Sequence, residues 1–452
     1  MVTADNLHLD VLELIFYYLS GNDLVSVSLV SRSFLSGVIP RLYRKIMFRL
    51  NHAKRFPQVM SPFKAIVEHP ALAVHTRHIE IRTIPTFKSQ HHPKFLSECT
   101  QALSLCTNLQ SFRCTVSALP PFLAPLQGKE RLQELRVHGN LTTAQSEKLA
   151  QIPNLTSLCL DFGSWNLIDV LPRWTPNFAK TLSSLCLYSA SELNETVLDK
   201  VLEQLSGLLA LHIVGCGQVD HVAVMRLVSH TPLLETLSFS TSDSSYSLRN
   251  PAPPLQHLRH LALDARYSVM SSPAPQVLAS ILNHIQSSAP SLVSFVMRLP
   301  EFKMTVGKDF IEHLVKLHGS TLQTMAFNCG LSLDSITTIS KTCTSLERLE
   351  LPIPLKELMP FASSIGKASN LRLLIDTSSH SGHGHGPNVS LTQENARYLM
   401  KGAPQLRKIV SGRRVWKNAS IGSIDLSLER LPSCSSATYW FMPRDVTDFG
   451  VS

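Results

Sequence analysis

A chain of 452 residues, 44% of them hydrophobic and 17% charged, carries enough apolar material for a large core and is too apolar to be disordered throughout. Its formal charge of +9 is spread along the whole length, which permits an acidic partner without implying nucleic acid. Nine cysteines with no C-x-x-C pair among them argue against a disulfide framework or a zinc site and for reduced thiols.

The first 31 residues contain neither Lys nor Arg, and Asp10 and Glu13 interrupt the apolar run, so no secretory signal is expected. In that stretch Leu9, Leu12, Phe16 and Leu19 fall on one helical stripe, widened by Val11 and Ile15. Ser20-Gly21-Asn22 predicts a stop, with Gly21 in a left-handed position and Asn22 capping the next helix. A second short helix is expected over about 23–30 and a third from near Ser31 to just before Pro40. Helices this short can hardly bury their own faces, so the unit needs a partner.

From about residue 76 the texture changes to a recurring L-x-x-L-x-L signal: NLQSFRC, RLQELRV, NLTSLCL, TLSSLCL, GLLALHI, LLETLSF, HLRHLAL, SLVSFVM, TLQTMAF and SLERLEL. The leading leucines, from Leu109 to Leu346, are spaced by 23 to 34 residues, in or near the period of a leucine-rich repeat with two longer intervals that read as insertions. TRHIEI at 76–81 reads as a degenerate first strand, and NLRLLID and QLRKIV as degenerate last ones. Each leucine should point into a core shared by stacked neighbours, while the residues between, His212 among them, point out on the concave side. ETVLDKVLEQL and DHVAVMRLVSH have helical spacing and should cover the outer side. Tyr267 to Met297 lacks charged residues but contains Pro273, Pro275 and Pro290, which predicts a loop and a buried helix rather than a membrane span.

Beside this repeat, the opening stretch resembles the F-box: Leu7, Asp10, Val11, Ile15 and Leu19, then Asp23-Leu24, Val27, Leu29-Val30-Ser31-Arg32 and Phe34. His8 stands where that family usually has proline, and Phe34 where it often has tryptophan. Leu208, Leu211, Ile213, Cys216 and Val219-Asp220 are similar to the cysteine-containing leucine-rich repeat often found with F-boxes. The resemblance implies an α/β protein: a three-helix F-box (1–48), a helical linker (49–75), a curved leucine-rich-repeat solenoid (76–430) with a parallel sheet on its concave face and helices outside, and a tail (431–452). It also implies a cytoplasmic or nuclear substrate receptor of an SCF-type ubiquitin ligase, without catalytic residues, metal or cofactor. Leu7, His8, Val11, Ile15, Leu19, Leu24, Val27, Val30 and Phe34 would then bind a Skp-family adaptor and through it a cullin. A leucine-rich-repeat scaffold acting outside any ligase is the alternative reading.

The target is expected on the concave face. Arg113 and Arg136 occupy the middle of consecutive strands with His138 beside them, a pair that would clamp a carboxylate or phosphate unless Glu134 and Asp161 neutralise it. SHSGHGHGP at 379–387 reads as a flexible insertion rather than a metal site, and RKIVSGRRVWK at 407–417 as a solvated face near the end of the solenoid. No G-x-S-x-G, H-E-x-x-H or P-loop pattern supports catalysis.

Overall fold

The computed structural model describes residues 9–19, 21–241, 248, 255–265, 275–286, 292–299, 306–378, 391–418, 426–431 and 439–443. Leu7, His8 and the His/Gly stretch at 380–387 lie outside them. The chain divides into two units, Met1–Leu193 and Asn194–Ser452. Both are built from parallel strands that alternate with helices, a solenoid-like repeat, and the first also carries a three-helix module at its start. Among the described residues no helix is long and apolar enough to cross a membrane.

The module comprises α1 (Leu9–Phe16), α2 (Asn22–Ser28) and α3 (Arg32–Leu42). Gly21 does take a positive φ, 54°, with ψ −122°, but it is itself the N-cap of α2, and Asn22 is the first helical residue. Ser31 caps α3 through its hydroxyl, which accepts from the Phe34 N–H at 3.2 Å. α3 runs through Pro40 instead of stopping before it. Proline's fixed φ suits a helix, and in the last turn its missing donor leaves only one intrahelical bond unmade. Leu12, Phe16, Leu24 and Val38 form the buried core, flanked by Leu19, Val27, Phe34 and Leu42. Gly37 sets the approach of α1 to α3: a Cβ there would stand 3.0 Å from the Phe16 ring and 3.2 Å from the Leu12 Cβ.

In the first unit the strands β1 (Lys45–Phe48) and β2 (His78–Ile81) precede a small hairpin, β3 (Thr86–Phe87) with β4 (Gln90–His91), which stands outside the ladder. The ladder continues through β5 (Ser111–Cys114), β6 (Glu134–His138), β7 (Ser157–Asp161) and β8 (Ser184–Tyr188), every neighbouring pair parallel. It thus begins one strand before TRHIEI. KIMF has no leucine signature, but it buries Ile46 and Phe48, and the Phe48 ring lies 4.4 Å from that of Phe95. Between β1 and β2 the chain forms helices Leu50–Arg55 and Pro62–Glu68 and a 3-10 turn at Pro70–His75.

The second unit continues the pattern with β9 (Ala210–Val214), β10 (Thr236–Ser240), β11 (His260–Asp264), β12 (Ser294–Arg298), β13 (Thr324–Phe327), β14 (Arg348–Leu351), β15 (Leu373–Asp376) and β16 (Lys408–Ser411). Two antiparallel strands, β17 (Arg414–Asn418) and β18 (Leu426–Arg430), end it. The basic run at 407–417 is therefore a hairpin, and its Trp416 is buried rather than solvated. Helix Pro275–Gln286 occupies part of the uncharged stretch before β12.

Parallel neighbours require a crossover, so each strand must be followed by a return segment on the side where its apolar residues collect. Helices Glu195–Leu202 and His221–Leu227 are two such returns, each burying its apolar positions. The leucine register is exact along each ladder: Phe112, Leu135, Leu158 and Leu185 align in the first unit, and Leu211, Leu237, Leu261 and Phe295 in the second. All eight are at most 1% exposed. Each such buried side chain contributes about 1.5 to 3 kcal/mol to its unit.

Candidate docking surfaces

Helix α1 carries two apolar stripes. Leu12 and Phe16 point into the module's core, whereas Val11, Leu14 and Ile15, at the i, i+3, i+4 spacing of a second face, are 42%, 69% and 49% exposed, and Tyr18, in the turn that follows the helix, is 87% exposed. Val25, Leu29, Val30 and Leu35 extend the exposed apolar surface. Of the residues that the F-box resemblance assigns to an adaptor, the described structure brings Val11, Ile15 and Val30 to the surface. Leu19, Val27 and Phe34 are half-buried against the core, and the Phe34 ring lies 5.5 Å from that of Phe16. Leu24 is a core residue, 7% exposed: α2 is so short that its best apolar position is needed to close the module. Leu14, Tyr17, Tyr18, Val25 and Leu35 were not singled out from sequence, although the spacing of the second stripe was there to be read, and Leu29 was matched to the family pattern without being assigned to the adaptor.

Beside this surface a cavity of about 650 Å³ is lined by Asp10, Leu14, Tyr17, Arg41, Arg44, His75 and Arg77. The Arg41 guanidinium lies over the Tyr17 ring, 5.0 Å from its centre, and its Nη2 donates to the Leu19 carbonyl at 3.4 Å. These contacts hold Tyr17 in place at the end of α1.

On the sheet face opposite the leucines, Arg113 and Arg136 are directly paired, as the strand spacing predicts. Each already has a carboxylate partner. Arg113 Nη2 donates to Glu134 Oε2 and Arg136 Nε to Asp161 Oδ2, each at 3.1 Å. The first pair is exposed, but Arg136 and Asp161 retain only 14% and 4% of their side-chain exposure. Burial pushes the Asp161 carboxyl above its usual range, against the downward pull of Arg136. His138 stacks on Phe162 at 5.2 Å, and burial lowers its pKa despite Asp161. Phe162, which directly follows β7, is half exposed at a left-handed φ of 54° and meets Tyr188, the last residue of β8, edge-on at 6.0 Å; sequence reading named His138 but neither of these two rings.

In the second unit the same face is uncharged along His212, Ser238, Ala262, Val296 and Ala326. His212, expected to face solvent, is only 2% exposed; burial drives its pKa down to about 3.

The eight described cysteines are all buried free thiols. Burial pushes those of Cys114, Cys329 and Cys343 up to about 12, so they stay protonated. Asp199, Glu203 and His230 are the one group among the described residues with metal-ligand geometry, their donor atoms within 4.8 Å of one another. The His230 Nε2 to Asp199 Oδ1 contact of 3.0 Å joins successive helical returns on a half-exposed surface, which accounts for the cluster without an ion.

The F-box domain family matches residues 5–38. No curated protein shows significant sequence similarity to the chain. Among solved structures, the chain is similar to the complex of Rad7 and Elc1 in yeast, at 14% identity over 81% of this chain and 88% of that one, with a TM-score of 0.43. It is also similar to the TLR13–ssRNA13 complex, at 13% identity over 75% and 50% of the two chains, with a TM-score of 0.36.

Proposed function

We propose that this chain, an F-box followed by a repeat solenoid, is the substrate-recognition subunit of an SCF-type ubiquitin ligase, working in the cytoplasm or nucleus. The F-box docks a Skp-family adaptor and through it a cullin, and the repeats hold a target protein. The observation that carries the reading is the exposed apolar belt of Val11, Leu14, Ile15, Tyr18, Leu29 and Val30 on a module whose core, among the described residues, holds four buried hydrophobic side chains. Such a belt on so small a core is a docking face. The receptor makes and breaks no bonds; it contributes proximity, holding a target lysine near a ligase-bound donor.

The test is capture of adaptor by the tagged full chain. Leu14→Asp with Leu29→Asp places charge on the belt at 69% and 82% exposure, so the fold should survive and adaptor capture should be lost. Leu24→Asp is unsuitable, because it would charge the core. Undiminished capture by the double variant overturns the docking face. Target capture by a wild-type chain that never recruits adaptor would favour a scaffold outside the ligase.

A further inference from the structure

The row His212, Ser238 and Ala262 is buried although it faces away from the leucine core, at 2%, 0% and 2% exposure. Its cover comes from 203 residues downstream of Ser238, where the Phe441 carbonyl accepts from the Ser238 hydroxyl at 3.2 Å. The Phe441 ring lies 5.3 Å from the His212 imidazole and stacks on Tyr439 at 4.7 Å and 11°. Trp440 meets Phe441 edge-on at 5.5 Å, and the Arg298 guanidinium sits 5.1 Å from the indole centre. Phe441 is 2% exposed and Tyr439 9%.

The polar contacts are consistent with one another. His212 Nδ1 and Ser238 Oγ are 2.8 Å apart. The single hydroxyl proton of Ser238 is directed at a carbonyl that can only accept, so Nδ1 of His212 must carry the proton and donate to Oγ. The site therefore reads a main-chain carbonyl through Ser238 and offers a neutral imidazole and a small floor at Ala262. Arg298 supplies a cation that favours an aromatic face. None of these contacts depends on which protein carries the aromatic segment.

We propose that this face of the second unit is a recognition site for a short aromatic peptide segment, and that Tyr439-Trp440-Phe441 is its resident occupant, which a target bearing an equivalent segment displaces. The inference rests on reading the repeats as target-binding and names the class of target. The resident is an imperfect ligand: Trp440 Nε1 is buried with no hydrogen-bond partner among the described residues. An unmet buried donor weakens the resident's hold. Because the resident is tethered, it is present at high effective concentration, and a peptide in solution meets a site that is mostly closed.

The experiment uses the full chain and a fluorescein-labelled peptide of the sequence ATYWFMPR, followed by anisotropy. Wild type should bind it weakly, and Trp440→Ala with Phe441→Ala should bind it at least about tenfold more tightly, the gain from removing a tethered competitor. Adding Ser238→Ala and Arg298→Glu to that variant should abolish the gain, and a peptide with Ser at the three aromatic positions should not bind. Absence of tighter binding by a variant that still unfolds cooperatively overturns the proposal. So does loss of cooperative unfolding in that variant, because the segment would then be part of the fold. Hydrogen exchange on wild type gives a check without mutation: amides at 439–442 should open far faster than those of β9, and equal protection overturns the idea. Adaptor capture, measured in parallel, reports on the F-box alone, so its loss sinks the ligase reading and leaves peptide binding standing.

Discussion

The opening three-helix module and the repeat ladders draw on similar side chains and treat them in opposite ways. Among the described residues, nine large apolar ones are exposed between Val11 and Leu35, while in the second unit the exposed ones, Leu209, Leu233, Met359, Tyr398 and Leu428, are isolated along the chain. A repeat closes its core with the next copy of itself. A three-helix module has no copy to stack on, so half of its apolar residues stay outside unless another protein covers them.

The largest expected effect sharpens this contrast. Leu211→Ala, in a row where Leu211, Leu237 and Leu261 are each at most 1% exposed, should cost about 2 to 5 kcal/mol by loss of transfer energy and by cavity formation, read from urea midpoints. Val30→Asp, at 66% exposure, should leave the midpoint within about 0.5 kcal/mol while removing adaptor capture. If Val30→Asp destabilises as much as Leu211→Ala, the belt is part of a core and not a docking face.

Gly37→Val should come next. Its Cβ would meet the Phe16 ring at 3.0 Å where α3 crosses α1, and overpacking of this kind costs about 1 to 3 kcal/mol. The damage should stay in the module: adaptor capture falls, while exchange protection of the β9 to β11 amides is unchanged.

Much of this was legible in the sequence. Each of the ten L-x-x-L-x-L matches ends in a strand, because a residue period of two within a strand and a recurrence every 23 to 34 residues are properties of the chain itself. KIMF escaped because its burial comes from Phe63 and Phe95, residues far along the chain that no local pattern announces. Leu24 and His212 show the same limit: a motif tells which residues are apolar or lie between leucines, but not which neighbour covers them. His212 is covered by Phe441, and nothing near position 212 carries that information.

Acidification should erode the ladder of the second unit by a smaller, graded amount. Burial lowers His212 to about 3 and His318 to about 4, from an ordinary 6.5. Both are neutral in the folded chain, and their depressed values mean that the unfolded chain takes up protons first. Their contribution is therefore complete above about pH 6.5 and declines as pH falls toward the folded values, by up to about 1.4 kcal/mol per pH unit for each imidazole. Urea midpoints at pH 7.5, 6.5 and 5.5 read the slope, and His212→Gln should reduce it. An unchanged slope would mean that the imidazole is not shielded by Phe441.

The smallest effect is expected where sequence alone pointed to a binding clamp. Arg113 and Glu134 form a pair with 38% and 43% of their side-chain surface in water, so Arg113→Ala should change stability by less than about 1 kcal/mol. Arg136→Ala should cost more, because it leaves the Asp161 carboxylate, 4% exposed, without its guanidinium. The two substitutions thus separate an exposed pair from a buried one within a single register step of the same face. If Arg113→Ala has no effect on folding yet removes a captured target that Arg136→Ala retains, Arg113 leaves Glu134 to meet an anionic partner, and the first unit reads charge where the second reads aromatic rings. If neither substitution changes the captured targets, both ion pairs belong to the fold and recognition lies with the uncharged row of the second unit.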